Sequence, residues 1–145
     1  MSRQLDEIIA DFDAQREAFR AVTNKGDVNK NVLLEFQGRL VDLKSEIRYW
    51  KKYLTKEWTR RDDKAATAIK FRIAISISRG EFKDEEGNLI YEKCSITSAE
   101  KYASGSLQYK DFVDQRAFYK ESLTNVSDLR EDLNSYINEI KDRLK

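Results

Sequence analysis

Lys70 and Arg72 stand two residues apart in the run I-K-F-R-I-A-I-S-I at 69–77, where the large apolar residues hold the odd positions. An ammonium and a guanidinium, both charged at neutral pH, are suited to displacing counterions from a polyanion. The alternation predicts a β-strand, supported by its β-branched isoleucines. A strand sets both cations on one face, about 6.6 to 6.8 Å apart. That interval approaches the spacing of successive phosphates along a nucleic-acid strand, so the pair would track a backbone. In a helix the two residues would point about 200° apart and their cooperation would be lost. The alternative role for the pair is the polar edge of a half-buried strand.

A second set of candidates lies just upstream. Tyr49, Tyr53 and Trp58 are interleaved with Lys51, Lys52, Lys56, Arg60, Arg61 and Lys64. Bases of single strands stack on such rings for about 1 to 3 kcal/mol each while cations neutralise phosphates. No helix-turn-helix or zinc-finger spacing is present to read a duplex, which favours single strands. The same rings would serve equally as packing residues between helices. Enzymatic chemistry finds few parts. With no histidine and one cysteine, Cys94 has no partner for a disulfide, a zinc site or a nucleophilic pair. Gly80 and Gly87 belong to no phosphate loop. Asp62, Asp63, Glu85 and Glu86 are adjacent carboxylates in polar context, the only basis for a metal-dependent nuclease, and read more simply as turn and solubility residues. The chain is therefore expected to be no enzyme and to need no cofactor or metal.

Charge is segregated along the chain. The net charge of +1 conceals a stretch, 39–79, with twelve Lys or Arg and five Asp or Glu, a net of +7. The flanks, 1–38 and 80–145, carry −2 and −4. One basic third inside an acidic scaffold suits a polyanion site, although a solvated helix face has the same composition.

These residues must be positioned by mainly helical elements. No proline occurs in the 145 residues, so long helices are uninterrupted. Residues 3–22 place Leu5, Ile8, Ile9, Phe12, Phe19 and Val22 on one stripe, and 23–29 supply a turn. Leu33, Phe36, Leu40, Leu43, Ile47, Trp50 and Leu54 alternate spacings of three and four, a coiled-coil seam. After the strand at 69–77, Asp84 to Asn88 has turn chemistry, and 89–96 is expected to return as the second strand of a hairpin. Thr97 and Glu100 form a capping box opening a helix to about Leu123. A last helix carries Val126, Leu129, Leu133, Tyr136, Ile140 and Leu144. The expected fold is mainly α with a small β element (α+β), one domain comprising N-terminal helices (1–66), a basic strand or hairpin (67–96) and a C-terminal helical oligomerisation segment (97–145).

With 40% hydrophobic and 37% charged residues, the core is thin. Self-association, with the terminal helix pairing between subunits, would cover the remaining stripes; an intramolecular four-helix bundle is the alternative. No apolar run approaches the roughly 18 residues of a membrane span, and the Met-Ser-Arg start leads into an amphipathic helix, which reads as cytoplasmic.

The segment A-I-K-F-R-I at 68–73, followed by S-R-G at 78–80, S-A-E-K at 98–101 and S-L-Q-Y at 106–109, resembles the UvsY family of bacteriophage recombination mediators. The likeness extends over about 68–144 and does not include residues 1 to about 30. It implies a small helical protein that assembles as a homo-oligomeric ring in the host cell, binds single-stranded DNA, helps displace the single-strand-binding protein and loads a RecA-like recombinase. It also implies that the K-x-R pair, Lys70 and Arg72, contacts DNA. Two other classes fit the residues alone: a structural coiled coil or assembly chaperone with no nucleic acid, and a small phage packaging component that binds duplex DNA.

Overall fold

The computed structural model describes residues 3–24, 26 and 29–145. Five helices follow in order: α1 (Leu5–Asn24), α2 (Lys30–Thr59), α3 (Asp63–Ser78), α4 (Ile96–Ser104) and α5 (Leu107–Leu144). Part of the turn expected at 23–29 lies outside the described residues. Among the described residues there is no strand, only an isolated antiparallel bridge between Lys83 and Leu89. None of the described helices is long and apolar enough to cross a membrane. The chain divides into two compact units, residues 1–55 with 121–145, and residues 56–120.

In the first unit the periodic stripes fold as the spacing predicts. Leu33, Phe36, Leu40, Leu43, Ile47 and Leu54 of α2 are buried, as are Ile8, Phe12 and Phe19 of α1. Val126, Leu133, Ile137 and Ile140 of α5 are also buried. Edge-on ring pairs join the three helices: Phe19 to Phe36 at 5.4 Å, Phe12 to Tyr136 at 6.0 Å and Phe19 to Tyr136 at 6.1 Å. Thus the core of the terminal stripe packs within the chain, with Leu129, Tyr136 and Leu144 half-buried. Ahead of α1, Arg3 is clamped by Glu46 at 2.9 Å and Asp11 at 3.0 Å. The hydrogen bonds it donates to those carboxylates raise the guanidinium pKa further above its ordinary value. Trp50 completes the tie by donating its indole N–H to the Arg3 carbonyl at 2.9 Å.

The second unit departs from expectation where the sequence alternates. Residues 69–77 lie within α3, so the strand is corrected to a helix, and the hairpin with 89–96 does not form. The local reasons are explicit. Asp62 caps α3, accepting from the Ala65 amide at 2.8 Å, an arrangement worth about 1 kcal/mol. Alanines 65, 66 and 68 then favour helix over strand. At the other end Gly80 has φ +70°, with its N–H on the Ile77 carbonyl and the Glu81 N–H on that of Ser76, a Schellman closure. The odd-numbered apolar residues also contain a helical series. Ile69, Ile73 and Ile77, spaced by four, turn inward, while Phe71 and Ile75 do not.

Ile73, Ala74 and Ile77 form a core with Phe82 and with Ala99 and Ala103 of α4. The alanines, fully buried, allow the α3 and α4 backbones to approach closely. Between these helices, residues 81–95 form a tongue. Its tip is an Asx turn in which the Asp84 carboxylate accepts from the amides of Glu86 and Asn88. Helix α4 opens two residues before the expected capping box, with Ser95 accepting from the Ser98 amide at 3.3 Å. It ends at Ser104, because the buried Ser106 starts a new helix. The Ser106 hydroxyl donates to the Ala103 carbonyl at 2.7 Å and accepts from the Tyr109 amide at 3.3 Å. The helix expected from 97 to 123 is thus split, and its second part is continuous with the last helix as α5.

Candidate nucleic-acid interface

Helical geometry separates the two residues with which the sequence argument began. At about 100° per residue, Lys70 falls beside the buried face of α3 and Arg72 on the outward face. Lys70 is half-buried and lines a shallow hollow with Thr67, Phe71 and Glu100. Arg72 is exposed. They therefore do not act as a matched pair on one face.

A different group assembles in their place. With inward Ile73 and Ile77 as reference, Lys64, Ala68, Phe71, Arg72, Ile75 and Arg79 fall within an arc of about 100° on the opposite side. Arg79 belongs to this arc because, as the C-cap, it keeps a right-handed helical backbone, φ −85° and ψ −5°. Three cations share this arc with Phe71, which is 53% exposed at the edge nearer Glu100, and no Asp or Glu of α3 shares it. Among the described residues, Lys64, Arg72 and Arg79 enter no ion pair. The rise from Lys64 to Arg72 is about 12 Å and from Arg72 to Arg79 about 10.5 Å. Those intervals are nearly twice the spacing that a strand would have given, so each cation would meet roughly every second phosphate.

The remaining candidates are placed differently. Arg61 is held by Glu57 at 3.0 Å and by Gln115 at 3.3 Å, and its guanidinium lies 4.5 Å from the centre of the Tyr119 ring. Arg60 reaches the same Glu57 at 3.3 Å. Arg61 therefore orders the approach to α3, with its guanidinium occupied by other groups. Trp58 is half-buried. In the first unit, Tyr49 and Tyr53 flank Trp50 edge-on at 6.0 and 5.7 Å, an aromatic cluster of its own. Of the carboxylates, Asp62 is engaged as the α3 cap, and Asp63 pairs with Arg116 at 2.9 Å.

Phe71 and Arg79 are the functional candidates that the strand reading overlooks. The signal was present in the D-D-K-A-A start, a helix cap followed by helix formers, which fixes a period near 3.6 through 79. At that period an aromatic at 71 has no place in the core.

Comparison with protein-family models, with curated proteins and with solved structures returns no match. The short motifs have clear local roles: S-R-G closes α3, S-A-E-K lies within α4, and S-L-Q-Y opens α5 from its cap Ser106.

Proposed function

We propose that this protein is a non-enzymatic, single-stranded DNA-binding recombination mediator acting as a homo-oligomer. The observation that carries the reading is the outward face of α3, where Lys64, Arg72 and Arg79 lie with no α3 carboxylate among them and an exposed phenylalanine stands at the edge. Such a face offers phosphates a row of cations and offers an unpaired base a ring, the two contacts that single strands provide together. The resemblance of 68–144 to UvsY-like mediators supports the same assignment and extends it to a ring that loads a phage recombinase against a single-strand-binding protein.

Three cations make a weak site in one chain. Copies linked in one particle would raise the effective concentration of each site for the next stretch of the same strand. Exposed apolar side chains outside the α3 face, Leu107 at 74% and Phe118 at 62%, offer surface for that association.

Anisotropy titrations with a labelled oligonucleotide, single-stranded and duplex, at two salt concentrations test the assignment. Salt-sensitive binding that prefers the single strand is expected. Preference for the duplex would favour a packaging role, and absence of binding would reject the assignment.

The rival is an assembly protein without nucleic acid, and one feature favours it. On α5, Leu107 and Phe118 share a face with Asp111 and Asp114, the acidic and apolar counterpart of the α3 face. A second copy could dock α5 on α3. In that case Arg72→Glu abolishes self-association, as read by light scattering, and no oligonucleotide binds.

A further inference from the structure

Three rings of the second unit are arranged unlike the other ring pairs described. Phe82 and Tyr91 are stacked at 5.9 Å and 24°, and Tyr91 and Tyr102 at 5.1 Å and 23°. The remaining pairs meet edge-on, at 73° to 90°. The stack is graded from core to solvent: Phe82 is 8% exposed, Tyr91 is half-buried and Tyr102 is 47% exposed. Its inner end is fixed by the α3–α4 core and by the hydrogen bond from the Ile90 amide to the Phe82 carbonyl. Near-parallel rings leave the outermost one in the orientation that another flat ring needs, with little ordering left to do on binding.

The base of the tongue touches the C-terminal end of α3. Gly80, which follows Arg79, lies against the side chain of Lys93, whose Cβ is 3.6 Å from where a Gly80 Cβ would stand. Lys93 is two residues beyond Tyr91, and Lys101 precedes Tyr102. Among the described residues, neither lysine enters an ion pair. Asp84 to Glu86 sit at the tip of the tongue, and Glu81 and Glu92, also exposed, adjoin Phe82 and Tyr91 at its base, so the surroundings of the stack carry both signs of charge. A strand continuing past Arg79 at the end of α3 would come to Lys93, two residues from Tyr91.

We infer that Tyr102, backed by Tyr91 and Phe82, is a base-stacking platform for a nucleotide of the single strand held along α3. The inference rests on the DNA-binding reading and adds a contact to the base itself, independent of base identity because every base has a π face. It predicts a site that distinguishes strands with bases from strands without them.

The test compares an oligothymidylate with an abasic oligomer of equal length, by anisotropy, for the unsubstituted protein, Tyr102→Leu and Tyr102→Trp. Leucine keeps apolar contact with Tyr91 but has no ring. It is expected to weaken oligothymidylate binding roughly fivefold or more and to leave abasic binding unchanged, while tryptophan restores or strengthens the former. Equal weakening on both strands, or undiminished oligothymidylate binding, overturns the platform and leaves the phosphate site standing. If the unsubstituted protein binds neither strand, the DNA reading and the platform fail together.

Discussion

The two units use the same kinds of residue for different ends. In residues 1–55 and 121–145, several arginines are absorbed into structure, although Arg48 and Lys52 are exposed and, among the described residues, enter no ion pair. Arg3 is held by two carboxylates, Arg16 lies 5.4 Å from the Phe12 ring centre and 5.7 Å from that of Tyr136, and Arg143 lies 5.7 Å from that of Phe19. Large aliphatic and aromatic side chains fill the core. In residues 56–120 the helical core is small, built around Ala74, Ala99 and Ala103, while Lys64, Arg72 and Arg79 face outward without ionic partners. The basic third of the sequence is thus less uniform than its composition implies. Arg61 braces the second unit through Gln115 and Tyr119, Arg60 is exposed beside Glu57, and the cations of the α3 outer face remain available to a ligand.

Core truncation should break this contrast most strongly. Phe12→Ala removes a fully buried ring and is expected to cost about 3 to 5 kcal/mol, measured by urea denaturation. Replacing Lys64, Arg72 and Arg79 together by alanine should leave stability nearly unchanged while flattening the salt dependence of single-strand binding. Each phosphate deprived of its cation lowers the log–log slope by about 0.7, so a drop of about 2 is expected. Asp62→Ala should cost about 1 kcal/mol by removing the α3 cap, visible in the same denaturation experiment. The smallest binding effect belongs to Lys70→Ala, because Lys70 points away from the α3 outer face; its salt slope should match that of the unsubstituted protein.

The parts legible from sequence were those in which one periodicity dominates. The seam from Leu33 to Leu54 and most of the stripes of α1 and the terminal helix read correctly because core burial sets their spacing; Ile9 is exposed, and the buried Ile137 lies off the expected stripe. Residues 69–77 misled because two demands overlap there. Ile69, Ile73 and Ile77 answer to the core, and Phe71 and Ile75 to the outer face, and their sum imitates a strand. The break at Ser104–Ser106 did have a local mark, the S-G-S run, a turn dipeptide followed by a preferred N-cap, but it is short and lies within a longer helical pattern. Lys64 and Arg72 remain on the candidate site, Lys70 lies beside it, and Phe71 and Arg79 enter only once the helical period is known.

The central claim is that α3 presents Arg72 outward with Lys64 and Arg79, and turns Lys70 toward α4. Salt-dependence titrations of single-strand binding for Arg72→Ala and Lys70→Ala, side by side, test it most directly. The slope should fall by about 0.7 for Arg72→Ala and stay unchanged for Lys70→Ala. Equal falls for both substitutions would restore the matched pair of a strand, and no fall for Arg72→Ala would remove α3 as the phosphate site.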